Sequence, residues 1–217
     1  MSFKFLRPLL LLILFLTTLT LFAQNDDDDE GEFFPLESDW SRIANLYSKG
    51  DQTFCINLGL VLPLFFVEQK EGVMDNQMKL GGMGSLGYNY FLGPHLFIGA
   101  ELGGMFAPTV GKNMFYIVPI GARVGYQFIF NRFEFPLSLM VGFAPQSYTQ
   151  RSYFGFFTKP TAGAYFRFNS DWSFGLNTSF WWVPQWTNKT RENTFHPGAV
   201  NIHGFFLEIT LAVRYHF

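Results

Sequence analysis

From residue 51 to the end of the chain, apolar and polar side chains alternate with a period of two. The pattern is clearest in residues 201–217, where the residues between the apolar positions are mostly small, polar or charged. The apolar positions of this stretch are Phe205, Leu207, Ile209, Leu211, Val213, Tyr215 and Phe217. Such alternation predicts a β-strand with one apolar face and one mostly polar face. Strands of soluble sheets are usually about 5 or 6 residues long, so this one is unusually long.

The same alternation divides the rest of the chain into further strands. The eight predicted strands are residues 52–65, 78–91, 95–107, 114–130, 133–145, 152–168, 172–183 and 201–217. Three of the connections between them are short and rich in turn-forming residues, namely 92–95, 131–132 and 169–171. The other four are longer and polar, at about 66–77, 107–113, 145–151 and 184–200. Short periplasmic turns that alternate with longer extracellular loops are typical of transmembrane barrels.

We therefore predict an all-β fold, a closed eight-stranded antiparallel transmembrane β-barrel over residues 51–217. Closure gives every backbone group a partner, which a membrane requires. With an even number of strands, both ends of the barrel lie on the same side, and the short turns place that side in the periplasm.

The carboxyl terminus carries a family resemblance. The last strand ends in Phe217 and has Tyr215 two positions before it. In this respect the chain resembles bacterial outer-membrane β-barrels, whose final strand ends in Phe after alternating apolar residues. The resemblance implies residence in the outer membrane of a diderm bacterium, contact with its lipid, and recognition of the C-terminal strand by the barrel assembly machinery.

Composition agrees with a surface that faces lipid. Aromatic residues make up 20% of the 217 residues, and charged residues only 15%. Soluble domains usually carry about 25% charged residues. Cys55 is the only cysteine, so no intrachain disulfide can form. We expect this thiol to be buried.

The first 23 residues are predicted to be a signal peptide. Lys4 and Arg7 form a basic start, an apolar core follows, and cleavage is expected between Ala23 and Gln24. An uncleaved membrane anchor is the alternative, because the apolar stretch is nearly long enough to span a bilayer.

Residues 24–50 are predicted to form a short periplasmic extension. Six carboxylates between Asp26 and Glu32 repel one another, which predicts a disordered acidic tail. Apolar residues then recur at helical spacing between Ser38 and Lys49, and Gly50 follows as a stop signal. We predict a short amphipathic helix here that covers the lower mouth of the barrel.

The face opposite to the lipid contains charged residues. The predicted luminal ion pairs are drawn from Glu101, Arg123, Glu134, Lys159, Arg167, Glu208 and Arg214. Glu101 and Arg123 are predicted to lie at similar depth on adjacent strands, and Lys159 and Glu208 to lie level across the lumen. Buried charges must be paired, so these residues predict an ion-pair plug. A path for protons or ions is the alternative.

Nearer the longer loops, the inward positions become apolar. They are Val61, Met105, Phe115, Ile117, Met140, Phe157, Trp181, Ile202 and Phe206. An apolar chamber above a polar floor resembles the OmpW type of small barrel, which implies binding or passage of small hydrophobic molecules; OmpX-like barrels are the related small type. A plain packed interior is the alternative. Pro119, Pro136 and Pro160 each remove a ladder hydrogen bond, so they predict either bulges or a gap in the wall.

Other function classes have weaker support. The four histidines, His95, His196, His203 and His216, are scattered and form no catalytic pattern, so we predict neither an enzyme nor a metal or other cofactor. The basic residues are also scattered, which argues against nucleic-acid binding. A structural or adhesin-like barrel, with loop 184–200 as its contact surface, is the alternative function.

Overall fold

The computed structural model describes residues 47–69, 72–74, 76–149, 151–186 and 201–217. The predicted signal peptide, the acidic tail and nearly all of the predicted helix lie outside the described residues. The described strands are β1 (Gln52–Glu68), β2 (Gly72–Met74), β3 (Gly81–Phe91), β4 (Leu96–Pro108), β5 (Met114–Ile117), β6 (Ile120–Phe130), β7 (Phe133–Tyr148), β8 (Arg151–Arg167), β9 (Trp172–Gln185) and β10 (Ile202–His216). In this part of the chain, no helix has the length and apolar character needed to cross a membrane.

The strands form one antiparallel sheet that closes on itself. Neighbouring strands pair in chain order, and β10 pairs with β1 from Thr53↔His216 to Glu68↔Ile202. β2 is a short arm paired with the end of β1, and β5 and β6 follow each other along one barrel strand between β4 and β7. The wall therefore has eight strands, which confirms the predicted closed antiparallel barrel.

One end of the barrel carries three short turns, at residues 92–95, 131–132 and 168–171, together with the first and last barrel residues. We call it the short-turn end. Gln52 and Phe217 exchange backbone hydrogen bonds of 3.0 and 3.1 Å there. At the opposite end, the predicted loop 145–151 is wrong, because β7 and β8 remain paired up to Tyr148↔Arg151. The polar side chains of this stretch do not end β7, because its backbone still pairs with that of β8.

The three prolines that the sequence singled out, Pro119, Pro136 and Pro160, interrupt hydrogen bonds but leave the register unchanged. Pro119 separates β5 from β6, yet its carbonyl accepts the Gly103 N–H at 2.9 Å. Pairs are missing at Pro136 in the β7–β8 ladder and at Pro160 in the β8–β9 ladder, and each ladder resumes in the same register. A fourth proline, Pro63, was not singled out, yet the register of β1 against β10 shifts between Pro63 and Phe65.

The two faces of the wall differ as the alternation predicts. Outward side chains are apolar and exposed, for example Leu58 at 63% and Leu211 at 69%. Such exposure is favourable in lipid and costly in water. Inward side chains fill the lumen, with apolar residues towards the end opposite the short turns and polar residues below them. The core of this molecule is therefore the filled lumen.

Candidate functional site in the lumen

The upper lumen holds one continuous apolar layer, which we call the apolar layer. All nine sequence-predicted chamber residues belong to it, and each is at most 2% exposed. The ring centres of Phe157 and Trp181 lie 5.8 Å apart, and Phe66 meets Phe206 edge-on at 5.7 Å. The chamber residues therefore pack against one another.

Methionine is concentrated in this layer. Met78, Met83, Met105 and Met140 are buried in it and Met74 packs against it, so it holds five of the seven methionines of the chain. Met78 and Met83 were not among the predicted chamber residues. Met83 is separated by an even number of residues from Gly81 and Gly87, which point inward. This alternation was the sequence signal that Met83 also points into the lumen. Methionine is flexible and polarizable, so it adapts its shape to different neighbours.

Below the apolar layer lies a group of four charged side chains, which we call the floor. Glu101 contacts Arg123 at 3.0 Å and Lys159 at 2.5 Å, and Lys159 contacts Glu208 at 3.4 Å. Both predicted contacts are present, but Glu101 joins them into one network. The Trp181 indole N–H donates to Glu208 at 2.6 Å, so this residue connects the floor with the apolar layer.

A second charged group, made by Glu134, Arg167 and Arg214, lies near the short-turn end, and we call it the Glu134 group. Glu134 is fully buried and contacts Arg167 at 3.2 Å and Arg214 at 3.1 Å. It also accepts hydrogen bonds from Tyr47 Oη at 2.9 Å and Gln127 Nε2 at 3.1 Å. The three charged residues were predicted to be luminal. Tyr47 was missed as a member of this site, because the sequence does not show which residue enters the mouth of the barrel. Gln127 was also missed, although its place in β6 between the outward Tyr126 and Phe128 was a signal that it points inward.

Tyr47 closes the short-turn end from below. Its ring stacks on Phe91 with centres 3.9 Å apart, and its hydroxyl lies 3.1 Å from His216 Nδ1. Burial, with a smaller contribution from the Glu134 carboxylate, raises the pKa of Tyr47 well above its ordinary value. The phenol therefore stays protonated and continues to donate its hydrogen bond.

The three histidines in the described residues lie in different parts of the barrel. His95 stacks on Tyr126 in a turn, His203 meets Trp182 on the outer face, and His216 lies beside Tyr47. Within the described ranges, no three His, Cys, Asp or Glu side chains are grouped so that they could hold a metal ion. His196 lies outside these ranges.

A protein-family model matches residues 28–215 of the chain. An uncharacterized protein of Treponema pallidum (strain Nichols) is 37% identical over 101 residues, which are 46% of this chain and 46% of that protein. An uncharacterized protein of Borreliella burgdorferi is 29% identical over 171 residues, covering 68% of this chain and 80% of that protein. The chain spans about half the length of the two T. pallidum relatives that it matches.

Solved structures share the architecture at low sequence identity. Neisserial surface protein A gives a TM-score of 0.54 at 11% identity, covering 78% of this chain and 98% of that one. The outer membrane protein OprG from Pseudomonas aeruginosa gives 0.49 at 10% identity, covering 79% and 97%. The likeness to Neisserial surface protein A concerns the fold alone. The chain therefore belongs to the family whose model spans residues 28–215, and its fold is that of a small eight-stranded transmembrane β-barrel.

Proposed function

We propose that this outer-membrane barrel binds or admits a small hydrophobic molecule in its apolar layer. One observation carries the proposal: a methionine-rich apolar layer fills the lumen above the floor. The interior of a membrane barrel is normally polar. An apolar layer between the floor and the outer mouth is therefore an unusual feature that suits a hydrophobic ligand.

The packed layer is the ligand-free state in this proposal. A ligand enters when flexible methionine side chains change rotamer, and it replaces the side-chain contacts that it displaces. Met105 and Met140 belong to the apolar layer, are at most 2% exposed, and are suited to such rearrangement. The floor below stops the ligand, because an apolar molecule gains nothing by separating buried ion pairs. The proposal assigns no catalytic residue and no cofactor.

We further propose that the short-turn end, with both termini of the barrel, faces the periplasm. Its connections have two to four residues, and short periplasmic turns are typical of these barrels. Epitope tags at Gly72 or Lys112 are expected to bind antibody on intact cells, and a tag at Asn131 is not. The reverse pattern would invert the orientation.

Lipid and the barrel assembly machinery are the proposed partners at the outer surface. Tyr215 and Phe217 point outward, and Trp172 lies beside them. The ring centre of Tyr215 is 4.8 Å from that of Trp172 and 5.9 Å from that of Phe217. This aromatic patch at the end of β10 suits recognition of the last strand during assembly.

Trp181 fluorescence tests the hydrophobic-ligand proposal. In a reporter with Trp40, Trp172, Trp182 and Trp186 replaced by Phe, the remaining Trp181 lies in the apolar layer. Titration with 1-bromododecane, whose bromine quenches on contact, is expected to quench Trp181 saturably, and dodecane should compete. Phe157→Arg should abolish the saturable quenching while the barrel stays folded.

The matched control keeps Trp182 and replaces Trp181 by Phe. Trp182 is the next residue but faces outward against His203, so it reports only partition of the probe into the detergent. Its quenching should rise without saturation. If the folded Trp181 reporter shows no saturable change with alkyl chains or aromatic probes, the proposal is wrong and a surface-interaction role takes its place.

A further inference from the structure

A second, polar compartment lies between the floor and the Glu134 group. Its walls carry a chain of neutral hydrogen bonds: Tyr165 Oη donates to Asn177 at 2.9 Å, Asn177 donates to Asn57 at 3.1 Å, and Asn57 donates to Ser85 at 2.9 Å. The cavity between these walls has a volume of about 20 Å³. That volume is enough for one water molecule.

One buried donor in this cavity lacks a protein partner. Arg214 lines the cavity and is 4% exposed, and its Nε has no hydrogen-bond partner among the described residues. Another nitrogen of the same guanidinium, Nη1, does have partners, because it donates to Gln127 and Glu134. A buried N–H without a partner is costly, so a water molecule is favoured at this place.

The Glu134 group and Tyr47 together separate this compartment from a vestibule at the short-turn end. The vestibule has a volume of about 230 Å³, and Tyr47, Arg167 and His216 are among its lining residues. Tyr47 precedes β1 and is therefore held by side-chain contacts and a turn, whereas the surrounding wall is held by the strand ladder. In the turn, the Asp51 carboxylate accepts the Ser48 N–H at 2.7 Å. Tyr47 can leave without breaking the barrel.

We propose that the lower lumen is a hydrated site that holds water at the Arg214 Nε–H, and that Tyr47, packed on the Glu134 group, is the removable plug that closes it at the short-turn end. This site lies on the other side of the floor from the proposed hydrophobic site. Its test is therefore independent of the Trp181 experiment.

The single thiol of the chain is placed to report on this compartment. Cys55 is 2% exposed and points inward, and its Sγ lies 3.6 Å from Asn89 Nδ2. Asn89 is itself a wall residue of the cavity and also donates to Thr53, the inward residue below Cys55. A reagent that passes Tyr47 and the Glu134 group behind it reaches Cys55 before it reaches the floor.

The experiment measures how fast methyl methanethiosulfonate labels Cys55 in the full-length barrel folded in detergent, by mass spectrometry. The thiolate attacks the sulfenyl sulfur, a mixed disulfide forms, and methanesulfinate leaves. For Tyr47→Ala we expect labelling to be about tenfold faster than in wild type or more, because a rare local opening becomes a permanent gap. Tyr47→Phe keeps the stacked ring and should stay close to wild type.

Tyr153→Ala is the matched control. Tyr153 is a buried tyrosine at the opposite end, where its hydroxyl accepts a hydrogen bond from the backbone N–H of Trp186 at 2.9 Å. Its removal should not change the labelling rate, and heat-modified gel mobility verifies that each variant is folded. The proposal is overturned if folded Tyr47→Ala labels no faster than wild type, or if Tyr153→Ala accelerates labelling as much.

Discussion

At the scale of single residues, the floor is stabilised by side chains that each take part in two ion pairs, Glu101 and Lys159. Glu101 is 4% exposed and contacts two cations, Arg123 and Lys159. Arg123 has a further partner, since its Nε donates to Asn89 at 2.6 Å. Lys159 depends on Glu101 more strongly, because its other carboxylate contact, with Glu208, is longer at 3.4 Å. The two cations therefore respond differently to the loss of Glu101.

We expect Glu101→Gln to lower the free energy of unfolding by about 3–5 kcal/mol, because it leaves a buried charge uncompensated. Adding Lys159→Met should recover more of this loss than adding Arg123→Met. Urea unfolding in detergent or lipid, arranged as double-mutant cycles, measures both couplings. Additive losses in the Glu101–Lys159 cycle would contradict the network.

At the scale of strands, inward glycines let neighbouring backbones approach. A Cβ built on Gly142 of β7 would lie 2.1 Å from the Ile120 carbonyl oxygen and 2.4 Å from the Gly121 Cα of β6. Backbone atoms cannot move aside as a flexible side chain can, so any larger residue must push the two strands apart. At Gly104 of β4, in contrast, a Cβ would have no atom within 4 Å.

Gly142→Ala is therefore expected to destabilise the barrel by about 1–3 kcal/mol, the usual cost of overpacking. Gly104→Ala serves as the control and should be neutral or slightly stabilising, because alanine loses less backbone entropy than glycine. The unfolding midpoints of the two variants, compared with that of wild type, measure both effects. Equal effects at the two positions would show that strand spacing tolerates the extra methyl group.

The last strand carries a second prediction at this scale. Deleting Phe217 removes one lipid-facing side chain, worth about 2–3 kcal/mol, together with its backbone pair with Gln52. Folding in detergent should survive, but assembly in cells should fall steeply if the machinery reads this end. Phe130→Ala is the control, since Phe130 is also outward and exposed but lies on β6. Normal assembly of the truncated protein would contradict the proposed partner.

At the scale of the whole molecule, the lumen is closed in successive layers. The apolar layer, the floor, the Glu134 group and Tyr47 follow one another from one end to the other. Eight strands enclose an interior just wide enough for side chains. The molecule is a filled barrel.

We therefore expect no large, steady conductance when the purified barrel is inserted into planar bilayers, with an outer-membrane porin as the positive control. The ion-pair floor and the apolar layer both oppose ion entry. Long-lived open steps of porin size would show that the layers separate readily and would contradict the closed lumen.

Alternation in the sequence predicted much of the fold and part of the site. The outward and inward faces, the apolar layer around Trp181 and the floor around Glu101 all follow from register, because a strand places alternate side chains on opposite faces. The joining of the two predicted ion pairs through Glu101 did not follow. Contacts between Glu101 on β4 and Lys159 on β8 depend on how the closed wall places strands that are not neighbours.

The sequence by itself therefore determined the eight-stranded wall and the side on which each residue lies, since both depend on local periodicity and turns. Only the tertiary structure decided that Pro119 divides a strand without shifting its register, that Met78 and Met83 join the apolar layer, and that Tyr47 enters the mouth beside Glu134. These features arise from closure of the sheet, which brings distant residues to the same depth in one narrow lumen, and no local pattern encodes that depth.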